Sequence, residues 1–253
     1  MNFKISDCSI GYRAGSQTTV IASDIEMEIR SGELVSLIGA NGCGKSTLIR
    51  TLAGLQPALG GSIQIDGCNL ASMDRKIRAQ KMSVVLTDNI SVPNTAVHDI
   101  VALGRFPYTN WYGTLSEHDE EIILQSIQTV GLQDFAYRNI DTLSDGERQR
   151  VMIAKALAQD TPFILLDEPT AHLDVQNRIE VMNLLKKLTV SSNKAILLST
   201  HELHLALNVS DSVWIMKKGQ PLLSGTPRQM MENGEIAKAF NLSETQIAES
   251  FRF

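Results

Sequence analysis

The sequence predicts an α/β fold with a mainly parallel sheet, an N-terminal antiparallel β subdomain and an inserted helical subdomain. Three observations carry this expectation. Phe163-Ile164-Leu165-Leu166-Asp167 and Ala195-Ile196-Leu197-Leu198-Ser199 are almost unbroken apolar runs, as expected of parallel strands buried on both faces. Between them, Val175, Ile179, Met182, Leu185 and Leu188 keep helical spacing, which makes a βαβ unit. A third apolar run, Leu34-Val35-Ser36-Leu37-Ile38, leads into a glycine-rich loop. Leu48-Ile49-Arg50-Thr51-Leu52-Ala53 then has apolar residues at helical spacing and ends at Gly54.

The other elements follow in order. Residues 1–30 read as β: Phe3, Ile5 and Ile10 form one strand-like set, and Ile25, Met27 and Ile29 alternate with Glu26, Glu28 and Arg30. Ser31-Gly32 is a turn, and Pro57 to Gly61 breaks the chain before a short strand and turn at 62–67. Residues 82–86 read as a buried strand of the central sheet. From about 90 to 160 the texture becomes helical. Thr95 caps a first helix that ends near Gly104. Ser116 caps a second, with a capping-box pattern through Asp119, an apolar stripe at Ile122, Ile123, Ile127 and Val130, and a stop at Gly131. A third starts after Leu143-Ser144-Asp145-Gly146. Residues 213–223 read as an edge hairpin, and a mostly helical tail, about 226–253, carries Pro227 near its first turn.

At 253 residues, with 43% hydrophobic and 20% charged residues, the chain can bury a sizeable core. The net charge of −5 argues against nucleic acid as a partner. No apolar run approaches the ~20 residues that span a bilayer, and the N-terminus has no secretory apolar region. These features lead us to expect a cytoplasmic chain. Cys8, Cys43 and Cys68 lack metal-ligand spacing and suit a reducing compartment. Cys43 lies inside the glycine-rich loop, either as a small loop residue or as a point where an alkylating reagent blocks ligand binding.

That loop, Gly39-Ala40-Asn41-Gly42-Cys43-Gly44-Lys45-Ser46-Thr47, fits G-x-x-x-x-G-K-[ST] without a gap, in the strand–loop–helix context the P-loop needs. Glycines let successive N–H groups turn inward around phosphate oxygens, and the helix start adds donors and the positive end of its dipole. Lys45 is placed to reach the β- and γ-phosphates, and the Ser46 hydroxyl to hold Mg²⁺. Asp167-Glu168 closes a strand parallel to the one before the loop. There Asp167 suits a Mg²⁺-holding carboxylate, and Glu168 a group that polarises the attacking water.

The motif set resembles the ATP-binding-cassette ATPases. Leu143-Ser144-Asp145-Gly146-Glu147-Arg148-Gln149-Arg150 is similar to that family's signature, Ala171-His172-Leu173-Asp174 to its D-loop, and Ser199-Thr200-His201 to its switch-histidine loop. With the P-loop and Asp167-Glu168, these motifs cover essentially the whole chain, which implies one nucleotide-binding domain over 1–253. The resemblance implies a P-loop nucleoside-triphosphatase core and ATP hydrolysis with Mg²⁺. It also implies a head-to-tail homodimer in which each ATP is sandwiched between two copies. In that arrangement Ser144 and Gly146 of one copy contact the γ-phosphate held by Lys45 of the other, Asp174 lines the interface, and His201 contacts the γ-phosphate and the attacking water. Tyr12 stands where the family places an aromatic against adenine; packing between strands is the alternative.

Two departures stand out. The glutamine expected after the strand at 82–86 is replaced by Thr87, followed by Asp88-Asn89; a threonine hydroxyl reaches Mg²⁺ only through water, so Thr87, Asp88 or Asn89 takes that place, or coupling is tuned differently here. Asp145 and Glu147 stand where glycine and glutamine are commonest, and both side chains are expected to point away from the nucleotide, since a carboxylate repels a γ-phosphate.

Gly104-Arg105-Phe106-Pro107-Tyr108-Thr109-Asn110-Trp111, with Leu115 to Asp119, resembles the cassettes of iron-siderophore, haem and cobalamin importers. That resemblance implies a peripheral subunit on the cytoplasmic face of the inner membrane, docked on an integral membrane permease dimer and served indirectly by a substrate-binding protein. Phe106, Tyr108 and Trp111 either meet the permease or pack under the helical subdomain. The alternative is a soluble cassette ATPase outside transport, for example in iron–sulfur cluster assembly.

Overall fold

The computed structural model describes residues 2–87 and 93–241. The expectations for Asp88, Asn89 and the tail beyond residue 241 lie outside the described residues. The chain opens with an antiparallel hairpin, β1 (Asn2–Ala14) and β2 (Gln17–Arg30). Ile25, Met27 and Ile29 turn inward while Glu26, Glu28 and Arg30 face out, the pleat alternation of a sheet with one wet face. β3 (Leu34–Ile38) is buried along its whole length and delivers the glycine loop to α1 (Lys45–Leu52). β4 (Gly60–Ile65) and the short β5 (Cys68–Asn69) follow. α2 (Arg75–Lys81) has no counterpart in the sequence pattern, because none of its residues is buried and its one large apolar side chain, Ile77, is half exposed. It is started by Asp74, whose carboxylate accepts the N–H groups of Lys76 and Ile77. β6 (Met82–Val85) closes this half.

The inserted helices are α3 (Val97–Ala102), α4 (Glu117–Thr129) and α5 (Asp145–Ala158). Thr95 does not cap α3. Ala96 holds that position without a side-chain bond, and the Thr95 hydroxyl donates to the Pro93 carbonyl instead. Nor does the chain stop at Gly104: α3 runs on into a 3-10 segment, Leu103–Tyr108. Gly104 is there because α5 passes so close that a Cβ would lie 2.3 Å from the Lys155 carbonyl oxygen. The Ser116–Asp119 capping box forms as expected, and Ile123, Ile127 and Val130 are buried.

The rest is β7 (Phe163–Asp167), α6 (Val175–Ser192), β8 (Ala195–Thr200), α7 (Leu203–Val209), β9 (Ser212–Ile215), β10 (Leu223–Gly225), α8 (Pro227–Glu232) and α9 (Glu235–Phe240). On α6 the buried face is Val181, Met182, Leu185 and Leu188; Val175 and Ile179, expected on that stripe, are exposed.

Among the described residues there are two sheets. A four-stranded antiparallel sheet has the order β2-β1-β4-β5; a six-stranded sheet has the order β10-β9-β3-β8-β7-β6, parallel except for β10. Strand 82–85 belongs to this central sheet and is largely buried, as expected, and it forms one edge of it. Alternate residues of the parallel strands serve two cores. Ile164, Leu166, Ile196 and Leu198 pack against the inserted helices and α6, while Val35, Leu37, Leu165 and Leu197 pack against α1 and the N-terminal sheet. Phe3 and Phe163 join that sheet to the larger one, with ring centroids 5.2 Å apart. Register aligns the carboxyl ends of the strands: Ile38 beside Thr200, Asp167 beside Ser199. Ligands of open α/β sheets bind at this edge.

Candidate active site

The loop after β3 wraps a concavity whose backbone only glycine can supply. Gly44 sits at φ 115° as the N-cap of α1, and a Cβ there would lie 2.4 Å from Ile21 Cγ2. α1 has no side-chain cap, so its first N–H groups are left for an anion. Lys45 is 4% exposed. Its Nζ donates to the carbonyls of Gly39 at 3.0 Å and Ala40 at 3.4 Å, and lies 3.5 Å from Glu168 Oε1. Ala40, Asn41, Gly42 and Ser46 remain exposed on the same loop. Cys43 is buried, so its thiol packs as a small loop residue rather than offering a site for alkylation.

Beside the loop, one hydroxyl organises both carboxylates. Ser199 Oγ donates to Asp167 Oδ1 at 2.6 Å and accepts the Glu168 N–H at 2.9 Å. The Ser46 hydroxyl reaches the same Asp167 Oδ1 at 3.1 Å. Glu168 has φ 48°, a left-handed backbone that costs a β-unbranched residue about 1–3 kcal/mol and is held here by Ser199 and by the Ala171 N–H on the Glu168 carbonyl. The second Glu168 oxygen, Oε2, faces His201 Nδ1 at 3.3 Å. Thr87 Oγ1 donates to the Asp167 carbonyl at 2.9 Å, which pins the end of β6 to the end of β7. The place of Ser199 in the switch-loop motif does not reveal this role; its register opposite Asp167 does.

Tyr12 is half exposed, so it does not pack between strands, and its hydroxyl lies 2.6 Å from Thr47 Oγ1 at the start of α1. Ser144 N-caps α5, and Gly146 lies where a Cβ would meet Asn177 Oδ1 at 2.4 Å. Asp174 N-caps α6, accepting the Asn177 N–H at 2.8 Å and the Asn177 amide at 2.9 Å; these bonds hold its carboxyl below the usual range. The signature and the D-loop thus share Asn177. Asp145 pairs with Arg148 at 2.6 Å. Glu147 does not turn away: its Oε2 accepts the Ser144 N–H at 2.8 Å and the Ser144 hydroxyl at 2.7 Å. The capping box explains this, since a glutamate three residues after a serine N-cap closes back on it. The same bonds, the Ser144 N–H first, hold the Glu147 carboxyl below its ordinary value. Among the described residues, no hydrogen bond or ion pair joins Ser144 or Glu147 to the loop Gly39–Thr47.

Ser46 and Asp167 offer a hydroxyl and a carboxylate oxygen 3.1 Å apart, hard donors of the kind Mg²⁺ takes. Among the described residues no cluster of three or more His, Cys, Asp or Glu could hold a metal by itself. That suits Mg²⁺, which usually takes one or two carboxylates and leaves its other positions to water and substrate phosphates.

A glycine loop with a buried lysine, a carboxylate pair at the next strand end and a parallel sheet define a P-loop nucleoside-triphosphatase. The family model "ABC transporter" matches residues 22–171, and the chain belongs to this family of ATPases. It is 37% identical over 230 residues to the petrobactin import ATP-binding protein FpuD of Bacillus anthracis, covering 91% of this chain and 84% of that one. A metal-chelate type ABC transporter solved in an inward-facing conformation superposes with a TM-score of 0.81 at 26% identity, over 94% of this chain and 88% of that one. A dimeric ABC cassette in a post-hydrolysis state with ADP and phosphate superposes with a TM-score of 0.77 at 28% identity, over 89% and 99%. Among the described residues, no helix is long and apolar enough to cross a membrane.

Proposed function

We propose that the chain is the ATP-hydrolysing subunit of a membrane importer for an iron chelate, siderophore-bound iron or haem, with cobalamin as the second cargo class. Likeness to an import protein across nearly the whole of both chains is the observation that carries this reading. The importer likeness and the aromatics left exposed in the helical subdomain favour it over a cassette ATPase outside transport. Phe106 and Trp111 are 73% and 96% exposed, free for a permease dimer, whereas Tyr108 packs under the Arg105 guanidinium, 4.0 Å from its ring centroid. The subunit would sit on the cytoplasmic face of the membrane, with a substrate-binding protein on the far side.

The proposed active unit is a head-to-tail homodimer with two ATP sites. Tyr12 supports the adenine and the loop N–H groups cradle the phosphates. Lys45 leaves its carbonyl partners for the β- and γ-phosphates. Ser46 and Asp167, with Thr87 one bond behind, hold Mg²⁺, whose chemistry there is to neutralise charge on the phosphate oxygens. Glu168 accepts a proton from the attacking water as its oxygen forms the new bond to the γ-phosphorus and the bond to ADP breaks. His201 donates to the γ-phosphate. Ser144 and Gly146 arrive from the second copy at the start of α5, an anion site by its free N–H groups. Domain closure on ATP and reopening after hydrolysis would drive the permease.

Co-purification with its permease, followed by ATPase assay in proteoliposomes, tests this reading. Ferric chelates with their binding protein should stimulate hydrolysis. Stimulation by cobalamin alone would overturn the iron chelate in favour of the second cargo class, and indifference to any permease would overturn the importer.

A further inference from the structure

Five charged or polar side chains line up from the first turn of α6 into the candidate active site. Arg178, in the first turn of α6, donates from Nε to the Leu173 carbonyl at 2.7 Å, inside the D-loop. Its Nη1 pairs with Glu202 Oε1. That same oxygen lies 3.6 Å from His201 Nε2. The other imidazole nitrogen, Nδ1, faces Glu168 Oε2 at 3.3 Å, and Glu168 Oε1 faces Lys45. One line of polar contacts thus runs from the D-loop backbone to the P-loop. The ring of His201 therefore sits between the Glu168 and Glu202 carboxylates, with Nδ1 toward the first and Nε2 toward the second.

We infer that Arg178 and Glu202 are positioning residues that hold His201 over Glu168 and tie its position to the D-loop; this rests on the role proposed above for His201. Stability does not explain the pair. Its side chains are 31% and 26% exposed, a part-buried pair, and whatever it adds to stability leaves its bonds to two different loops unexplained. Its geometry does explain it. The guanidinium fork is rigid and takes one acceptor from the D-loop and one from the switch loop, so it ties the two loops together. The Glu202 backbone is anchored as well, because its N–H donates to Thr200 Oγ1 at 3.0 Å. With Asp174 lining the interface, arrival of the second copy would shift the D-loop, and Arg178 would carry that shift through Glu202 to His201. Hydrolysis would thereby wait for the dimer.

Steady-state ATPase of the full chain tests this with Arg178→Ala, Arg178→Lys, Glu202→Gln, His201→Ala and the double variant Arg178→Ala/His201→Ala. Arg178→Ala and Glu202→Gln should each lower kcat about tenfold or more, with KM for ATP within about twofold. Arg178→Lys, which keeps the charge but loses the fork, should recover part of the loss. In the His201→Ala background, Arg178→Ala should cause no further loss, as expected of a residue that acts through His201. If His201→Ala lowers kcat while Arg178→Ala and Glu202→Gln leave it within about twofold, the inference fails and the site reading stands. Equal loss from Arg178→Ala with and without His201, or a loss seated in KM, also overturns it. Full activity in His201→Ala would remove the reading of His201 and the inference together.

Discussion

The Lys45 ammonium lies 3.5 Å from a Glu168 carboxylate oxygen, so the group placed for phosphate and the group placed for water meet before any nucleotide is bound. A triphosphate must exchange this contact for its own oxygens. Lys45→Ala should lose about 10²–10³ in ATPase rate, the scale of removing one transition-state donor. Phosphate release at saturating Mg²⁺-ATP measures it. Retention of more than about a tenth of the rate would show that Lys45 is not the phosphate lysine.

Ser199 is the hinge of the carboxylate pair, since it donates to Asp167 and accepts from the Glu168 N–H. Ser199→Ala leaves a buried N–H unpaired at a left-handed residue, which should destabilise the chain by about 1–3 kcal/mol. The ATPase rate should fall with it, and the Mg²⁺ concentration for half-maximal activity should rise. Urea denaturation and a Mg²⁺ titration read the two effects; an unchanged Mg²⁺ dependence would separate Ser199 from Asp167.

Glu147 closes on the hydroxyl that would meet the partner's γ-phosphate. Glutamine keeps a capping box but removes the charge. Glu147→Gln should therefore lower the ATP concentration for half-maximal activity by about two- to fivefold, the size of a screened surface interaction. A rise instead would mean that the carboxylate itself holds Ser144 in its working position.

Asp119 and Arg105 form a buried pair at 2.8 Å under the aromatic loop. The Ser116 hydroxyl, then its N–H, and Arg105 lower the Asp119 pKa from 3.8 to about 2. A depressed folded value means a contribution fully present above the ordinary carboxylate value and lost as pH falls toward about 2. The stability gap between the native chain and Asp119→Asn should hold from neutral pH down to about 4 and shrink below it, followed by urea unfolding. Arg105→Ala strands the carboxylate and should cost about 3–5 kcal/mol.

Much of the architecture was legible in the sequence. The strands at 34–38, 163–167 and 195–200 could be read because both faces are buried and the apolar runs are unbroken. The glycine loop could be read because backbone geometry restricts which residues fit. α2 was not legible, since it has no buried face; nor was the exposure of Val175 and Ile179, since spacing reports a stripe but not whether anything lies against it. Ser199, Glu202 and Arg178 were invisible as a group because register and loop geometry, not spacing, bring together residues from β8, α6 and the switch loop. Glu147 closes on Ser144 through a capping box, a local bond that an argument from charge alone does not read.

The central claim is that each ATP site is completed by a second copy. Size-exclusion chromatography with light scattering on Glu168→Gln, with and without Mg²⁺-ATP, tests it most directly. ATP should convert the monomer to a dimer, and Ser144→Arg should abolish that dimer without abolishing ATP binding. A Glu168→Gln chain that binds ATP stoichiometrically yet stays monomeric would contradict the account.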